Sequence, residues 1–133
     1  MGEKDYSATP LWKKLGLKEG ARFALLNGPD GFGMTLPGGV KIFRKLAGRF
    51  DVILLFSTRE AELNRSFTRA KSFLTPAGGL WVGYPKKSSA LATNLTFDNV
   101  QQTGLEAGLV DNKSCAIDDD WSGVRFVYRI KDR

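Results

Sequence analysis

The segment from Asp51 to Tyr84 limits the folding options of this chain more than any other. Asp51-Val52-Ile53-Leu54-Leu55-Phe56 is an apolar run after its first residue, the pattern of a strand covered on both faces. Behind it, Glu60 to Leu74 places Leu63, Phe67, Ala70 and Leu74 at helical spacing, with Asn64, Arg65, Thr68, Arg69 and Lys71 elsewhere around the helix. Thr75-Pro76-Ala77-Gly78-Gly79 reads as a stop, and Leu80-Trp81-Val82-Gly83-Tyr84 as the next strand. A strand, a crossover helix and a second strand form a right-handed unit, which makes the two strands parallel. An α/β architecture follows.

The flanking segments extend that sheet. Thr9-Pro10 opens one or two turns of amphipathic helix over Leu11-Trp12-Lys13-Lys14-Leu15, stopped by Gly16. Ala21 to Leu26 reads as the first strand and breaks at Asn27-Gly28-Pro29-Asp30-Gly31. The glycine-rich stretch from Gly28 to Gly39 holds at most a short, poor helix, and Val40 to Phe43 forms the second strand. A helix from about Thr96 to Ala107 turns Phe97, Val100 and Leu105 inward despite an interior Gly104. Leu109 to Ile117 and Trp121 to Ile130 are strands joined by the Asp118-Asp119-Asp120 turn, and so short a connection permits only an antiparallel hairpin. The expected strand order is 2-1-3-4-6-5, in one domain over residues 1–133 with a flexible tail at 1–8.

Composition removes several chemistries. The chain has no histidine, which excludes histidine triads, histidine general bases and the common histidine-containing zinc sites. Its one cysteine, Cys115, can form no internal disulfide and sits in a strand-like stretch where a buried, inert thiol is expected. The three-aspartate turn lacks the ligand spacing of a calcium loop, and no metal site is expected there. No apolar run is long enough to span a bilayer and the N-terminus lacks an apolar signal core, so no membrane partner and a cytoplasmic location are expected. A net charge of +6 favours anionic partners. The basic residues are spread rather than clustered, which argues against nucleic acid.

From Phe50 onward the order is strand, helix, Leu74-Thr75-Pro76-Ala77-Gly78-Gly79-Leu80-Trp81, a helix ending at Gly108, and a hairpin. That order resembles the carboxy-terminal half of class I methyltransferases. The resemblance implies a three-layer, Rossmann-like α/β sheet, mostly parallel and truncated relative to that family. Thr9-Pro10-Leu11-Trp12-Lys13-Lys14-Leu15-Gly16, Leu80-Trp81-Val82-Gly83-Tyr84-Pro85-Lys86-Lys87 and Trp121-Ser122-Gly123-Val124 also resemble a family of small bacterial proteins known as a domain of unknown function. In methyltransferases the first strand ends in an acidic residue and a glycine-x-glycine turn, and the second in a carboxylate that binds ribose hydroxyls. Here those positions read Asn27-Gly28-Pro29-Asp30-Gly31 and Arg44-Lys45.

Ligands of open parallel sheets bind beyond the carboxyl ends of the strands, where strand order reverses. The expected site is therefore a rim of Asn27, Gly28, Asp30, Ser57, Thr58, Lys86, Lys87, Ser88 and Trp121, with Lys86 and Lys87 as its cations. No residue is assigned a catalytic role and no cofactor is named. The front-half departures favour a non-catalytic binding or regulatory domain for an anionic small molecule or an acidic protein. The alternative is a divergent S-adenosylmethionine-dependent methyltransferase-like enzyme, and a third option is an interaction module that forms a homodimer through an edge strand.

Overall fold

The computed structural model describes residues 9–133, and the expected tail at 1–8 lies outside the described residues. Pro10 takes the N-cap position of α1 (Leu11–Lys14), its carbonyl accepting from the N–H groups of Lys13 and Lys14. The helix is a single turn. Its docking comes from the sheet, because the buried indole of Trp81 donates to the Leu15 carbonyl at 3.0 Å.

Six strands follow among the described residues: β1 (Phe23–Leu26), β2 (Ile42–Phe43), β3 (Phe50–Phe56), β4 (Leu74–Pro85), β5 (Leu109–Ala116) and β6 (Trp121–Tyr128). They form one sheet in the order β2-β1-β3-β4-β6-β5, as the sequence reading expects. β2, β1, β3 and β4 run parallel, while β6 lies antiparallel to both β4 and β5. α2 (Glu60–Lys71) links β3 to β4, and α3 (Phe97–Glu106) links β4 to β5. α3 starts on a reciprocal cap: Thr96 Oγ1 accepts from the Asn99 N–H, and Asn99 Oδ1 accepts from the Thr96 N–H at 2.7 Å.

One expectation is corrected here. Thr75-Pro76-Ala77-Gly78-Gly79 is no turn ahead of a strand, because β4 already begins at Leu74. Leu74 pairs with Phe50 and Gly79 with Val52, so the residues between them bulge opposite the single residue Asp51. Gly78 lies so close to this partner strand that a Cβ atom would sit 2.7 Å from the Asp51 carbonyl oxygen. Glycine makes the bulge fit.

The two faces of the sheet are covered differently. On one, Leu63, Phe67 and Ala70 of α2 and Val100 of α3 close over Ile53, Leu55, Leu80, Val82 and Phe126. The Lys71 ammonium donates to the Ala107 carbonyl and so ties the ends of the two helices together. On the other, Phe23, Leu25, Leu54, Phe56 and Trp81 are covered by Leu11, Trp12 and Leu15 and by coil that contributes Phe32, Met34 and Leu36. Neither the β1-to-β2 nor the β2-to-β3 connection contains a helix. No helix among the described residues is long and apolar enough to cross a membrane.

Candidate functional site

Because β1, β3 and β4 are parallel, their carboxyl ends deliver Asn27, Ser57 and Lys86 to one edge of the sheet. β6 runs the other way and pairs Trp121 with Pro85, so the hairpin turn joins the same edge. Phe56, the last residue of β3, is fully buried beneath these loops. Its ring meets Phe32 at 5.0 Å and 63°, and Trp121 at 5.0 Å and 89°. Edge-to-face contacts thus fasten the β1 loop and the hairpin to the end of the central strand.

Hydrogen bonds fix the remaining loops. The Lys86 N–H donates to the Asp120 carbonyl at 2.8 Å, and the Ser89 hydroxyl to Asp120 Oδ1 at 3.1 Å. Asp118 Oδ1 accepts from the N–H groups of Asp120 and Trp121, which closes the three-aspartate turn on itself. Further along, the Thr58 carbonyl accepts from the Thr93 hydroxyl at 2.7 Å, and Asn94 Oδ1 from the Glu60 N–H at 2.8 Å. Residues 86–94 are held at both ends.

Among the described residues, three of the cavities at this edge hold expected rim residues. One of about 310 Å³ is walled by Asp30, Phe32, Leu91, Asp118, Asp120 and Trp121, so carboxylates and aromatic rings share it. A neighbour of about 350 Å³ is lined by Tyr84, Lys86, Lys87, Leu91 and Phe97, among others, and Leu91 therefore stands between the two. Leu91 and Phe97 are each 41% exposed, an apolar mouth on an otherwise polar edge. The third cavity, of about 360 Å³, lies by α2 and is lined by Leu26, Asn27, Arg44, Lys45, Leu46, Ser66 and Arg69.

The expected rim residues are thus divided. Asp30 and Trp121 share the first cavity, Lys86 and Lys87 line the second, and Asn27 lines the third. Gly28 packs beside the Leu25 side chain. Ser57 is buried, its hydroxyl donating within 3.1 Å of Glu62 Oε1 and the Arg59 carbonyl, so it shapes the start of α2. Thr58 contributes its carbonyl to the latch described above. Ser88 is exposed and lines none of the three cavities. Sequence reasoning missed Phe32, Leu91, Phe97, Ser66 and Arg69 as lining residues. An aromatic residue inside a glycine-rich loop was the one available signal, at Phe32.

Two titratable groups nearby have displaced pKa values. Burial pushes the Tyr84 phenol up, so it stays a hydrogen-bond donor over a wider alkaline range. Burial likewise pushes the Cys115 thiol up, with Lys14 opposing in part. A raised thiol pKa leaves less thiolate. Iodoacetamide at neutral pH is therefore expected to label Cys115 more slowly in the folded chain than in urea, and equal rates would contradict this account.

No protein-family model matches the chain, and neither does any curated protein. Solved structures do match in fold. A S-adenosylmethionine-dependent methyltransferase from Aquifex aeolicus is 14% identical with a TM-score of 0.61, over 87% of this chain and 86% of that one. A ribosomal protein L11 methylase from Lactobacillus delbrueckii is 11% identical with a TM-score of 0.57, over 90% and 75%. Magnesium protoporphyrin IX methyltransferase from Synechocystis, with bound S-adenosylhomocysteine, is 10% identical with a TM-score of 0.51, over 74% and 54%. This chain therefore spans about half the length of that last enzyme. The expectation of a non-catalytic binding or regulatory domain is corrected by these likenesses, all of them to methyltransferases. At such identities the likeness is one of architecture: the chain has the mixed α/β fold of class I methyltransferases, closed by an antiparallel hairpin.

Proposed function

We propose that this chain is a divergent S-adenosylmethionine-dependent methyltransferase-like enzyme working at the carboxyl-end edge of its sheet. The observation that carries the reading is the pair of adjoining cavities on either side of Leu91, one acidic and aromatic, the other apolar with two lysines. A two-substrate reaction needs such adjacency, because holding both reactants side by side removes much of the entropic barrier.

The residues fit the cofactor in part. Its sulfonium and ammonium groups suit the first cavity, where Asp30, Asp118 and Asp120 supply negative charge and Phe32 and Trp121 add aromatic rings to the lining. Its ribose does not fit at the end of β2, where Arg44 and Lys45 stand in place of a carboxylate. When bound, the cofactor supplies an electrophilic methyl group. In this reading Lys86, Lys87 and the Tyr84 phenol orient an acceptor in the second cavity, while Leu91 and Phe97 shield it from water.

Thermal-shift titration tests the reading directly. Saturating S-adenosylmethionine is expected to raise the melting temperature, since about 100 times Kd of ligand adds about 2.7 kcal/mol. Asp30→Asn removes one exposed charge and is expected to weaken this binding about three- to tenfold. If neither S-adenosylmethionine nor S-adenosylhomocysteine shifts the transition at millimolar concentration, the enzyme reading fails.

A further inference from the structure

We infer that the recess between the carboxyl ends of β1 and β2 and the side of α2 binds a phosphate group carried by a small molecule. Arg44 and Lys45 directly follow β2, Ser66 and Arg69 come from one side of α2 three residues apart, and Asn27 ends β1. These residues border a cavity of about 360 Å³ that no carboxylate lines. Among the described residues, Arg44 and Lys45 have no hydrogen-bonded or ion-paired side-chain partner. The Arg44 guanidinium lies beside Gly28, over the turn that leaves β1.

Backbone conformation adds to this arrangement. Asn27 has φ 57°, and it is the sole non-glycine residue with positive φ among the described residues. Asparagine tolerates that left-handed geometry better than most residues. The turn sends the following loop to the opposite face, toward Phe56, and leaves the recess open on the α2 side.

The donor set selects the ligand. Three cations, a hydroxyl and an amide line one recess, with the Arg69 guanidinium also 5.8 Å over the Phe73 ring, and they offer more donors than the two oxygens of a carboxylate can satisfy; a terminal phosphate offers three oxygens and close to two negative charges. Three like charges around one concavity also repel each other until a counter-charge arrives. Nucleic acid fits less well. Its backbone needs a track of cations, whereas Lys86 and Lys87 line a separate cavity.

This site is independent of the proposed enzyme reading, because none of its lining residues borders the two cavities beside Leu91. The test is calorimetric titration with inorganic phosphate, AMP and adenosine. Phosphate and AMP are expected to bind and adenosine to give no heat. The double variant Arg44→Gln, Lys45→Gln replaces exposed side chains and is expected to weaken AMP about tenfold or more, while Lys86→Gln, Lys87→Gln leaves it unchanged. Equal weakening by the two double variants would reduce the effect to general attraction by net charge and overturn the site. So would the absence of any AMP binding at millimolar concentration. S-adenosylmethionine titrated into the Arg44→Gln, Lys45→Gln variant is expected to behave as with the unaltered chain, so either reading can fail while the other stands.

Discussion

Gly104→Val is expected to cost about 3 kcal/mol or more of folding stability, read as a lower urea midpoint with an unchanged denaturant slope. Two effects compete at this position. A glycine inside a helix is about 1 kcal/mol worse than alanine, so propensity alone would reward any side chain here. Packing decides otherwise, because a Cβ on Gly104 would sit 2.1 Å from Phe126 Cε1. Phe126 has no room to retreat: it is fully buried and stands edge-on to buried Phe67 at 5.2 Å and 90°. Relieving the overlap means moving α3 off the sheet, and overpacking of this kind costs about 1–3 kcal/mol even for small additions. Valine adds a branched side chain to that clash. Gly104→Ala is expected to lose more by packing than it gains in propensity, and a more stable alanine variant would show that α3 does not approach β6 this closely.

Phe56→Ala is expected to be about as severe, at about 3–5 kcal/mol, with a melting temperature lower by roughly 10 °C or more. The residue is fully buried, and its ring is also the point where Phe32 and Trp121 meet. Removing it leaves both the β1 loop and the hairpin without their shared contact. Stability and site geometry should therefore fail together: Trp121 emission is expected to shift to the red, and any stabilisation by S-adenosylmethionine to disappear. Phe32→Ala, at a half-buried position on the loop alone, is expected to cost less. A Phe56→Ala loss below about 1 kcal/mol would mean that the rings do not pack as described.

Much of the architecture was legible because it rests on local signals. The unbroken run at β3, the helical spacing of Leu63, Phe67 and Ala70, and the short turn before Trp121 forced the parallel unit and the hairpin, and the strand order followed. The exceptions have physical causes. Thr75-Pro76-Ala77-Gly78-Gly79 carries turn chemistry, but a bulge uses the same residues, and only its pairing across Asp51 separates the two. Gly104 weakened the helix as read from sequence for the reason that makes it necessary in the fold, its contact with Phe126.

The site was less legible. That the loops after β1, β3 and β4 share an edge follows from parallel pairing alone. Which cavity each residue lines depends on where irregular coil runs, and coil has no period to read. Asn27 and Asp30 are three residues apart yet line different cavities, and Lys86 meets Leu91 and Phe97 through a loop held by Thr58 and Asp120.

The helix-free β1-to-β2 connection on the α1 face makes the two faces of the molecule unequal in local stability. Coil between Gly28 and Lys41 has few backbone bonds, from the N–H groups of Phe32 to Pro29, of Val40 to Pro37 and of Gly20 to the Gly38 carbonyl, and side chains press it on the sheet. The helical face is held by the backbone ladders of α2 and α3 as well as by its side chains. This covering can lift away piecemeal, so amide protons beneath it exchange through small openings well below the free energy of complete unfolding.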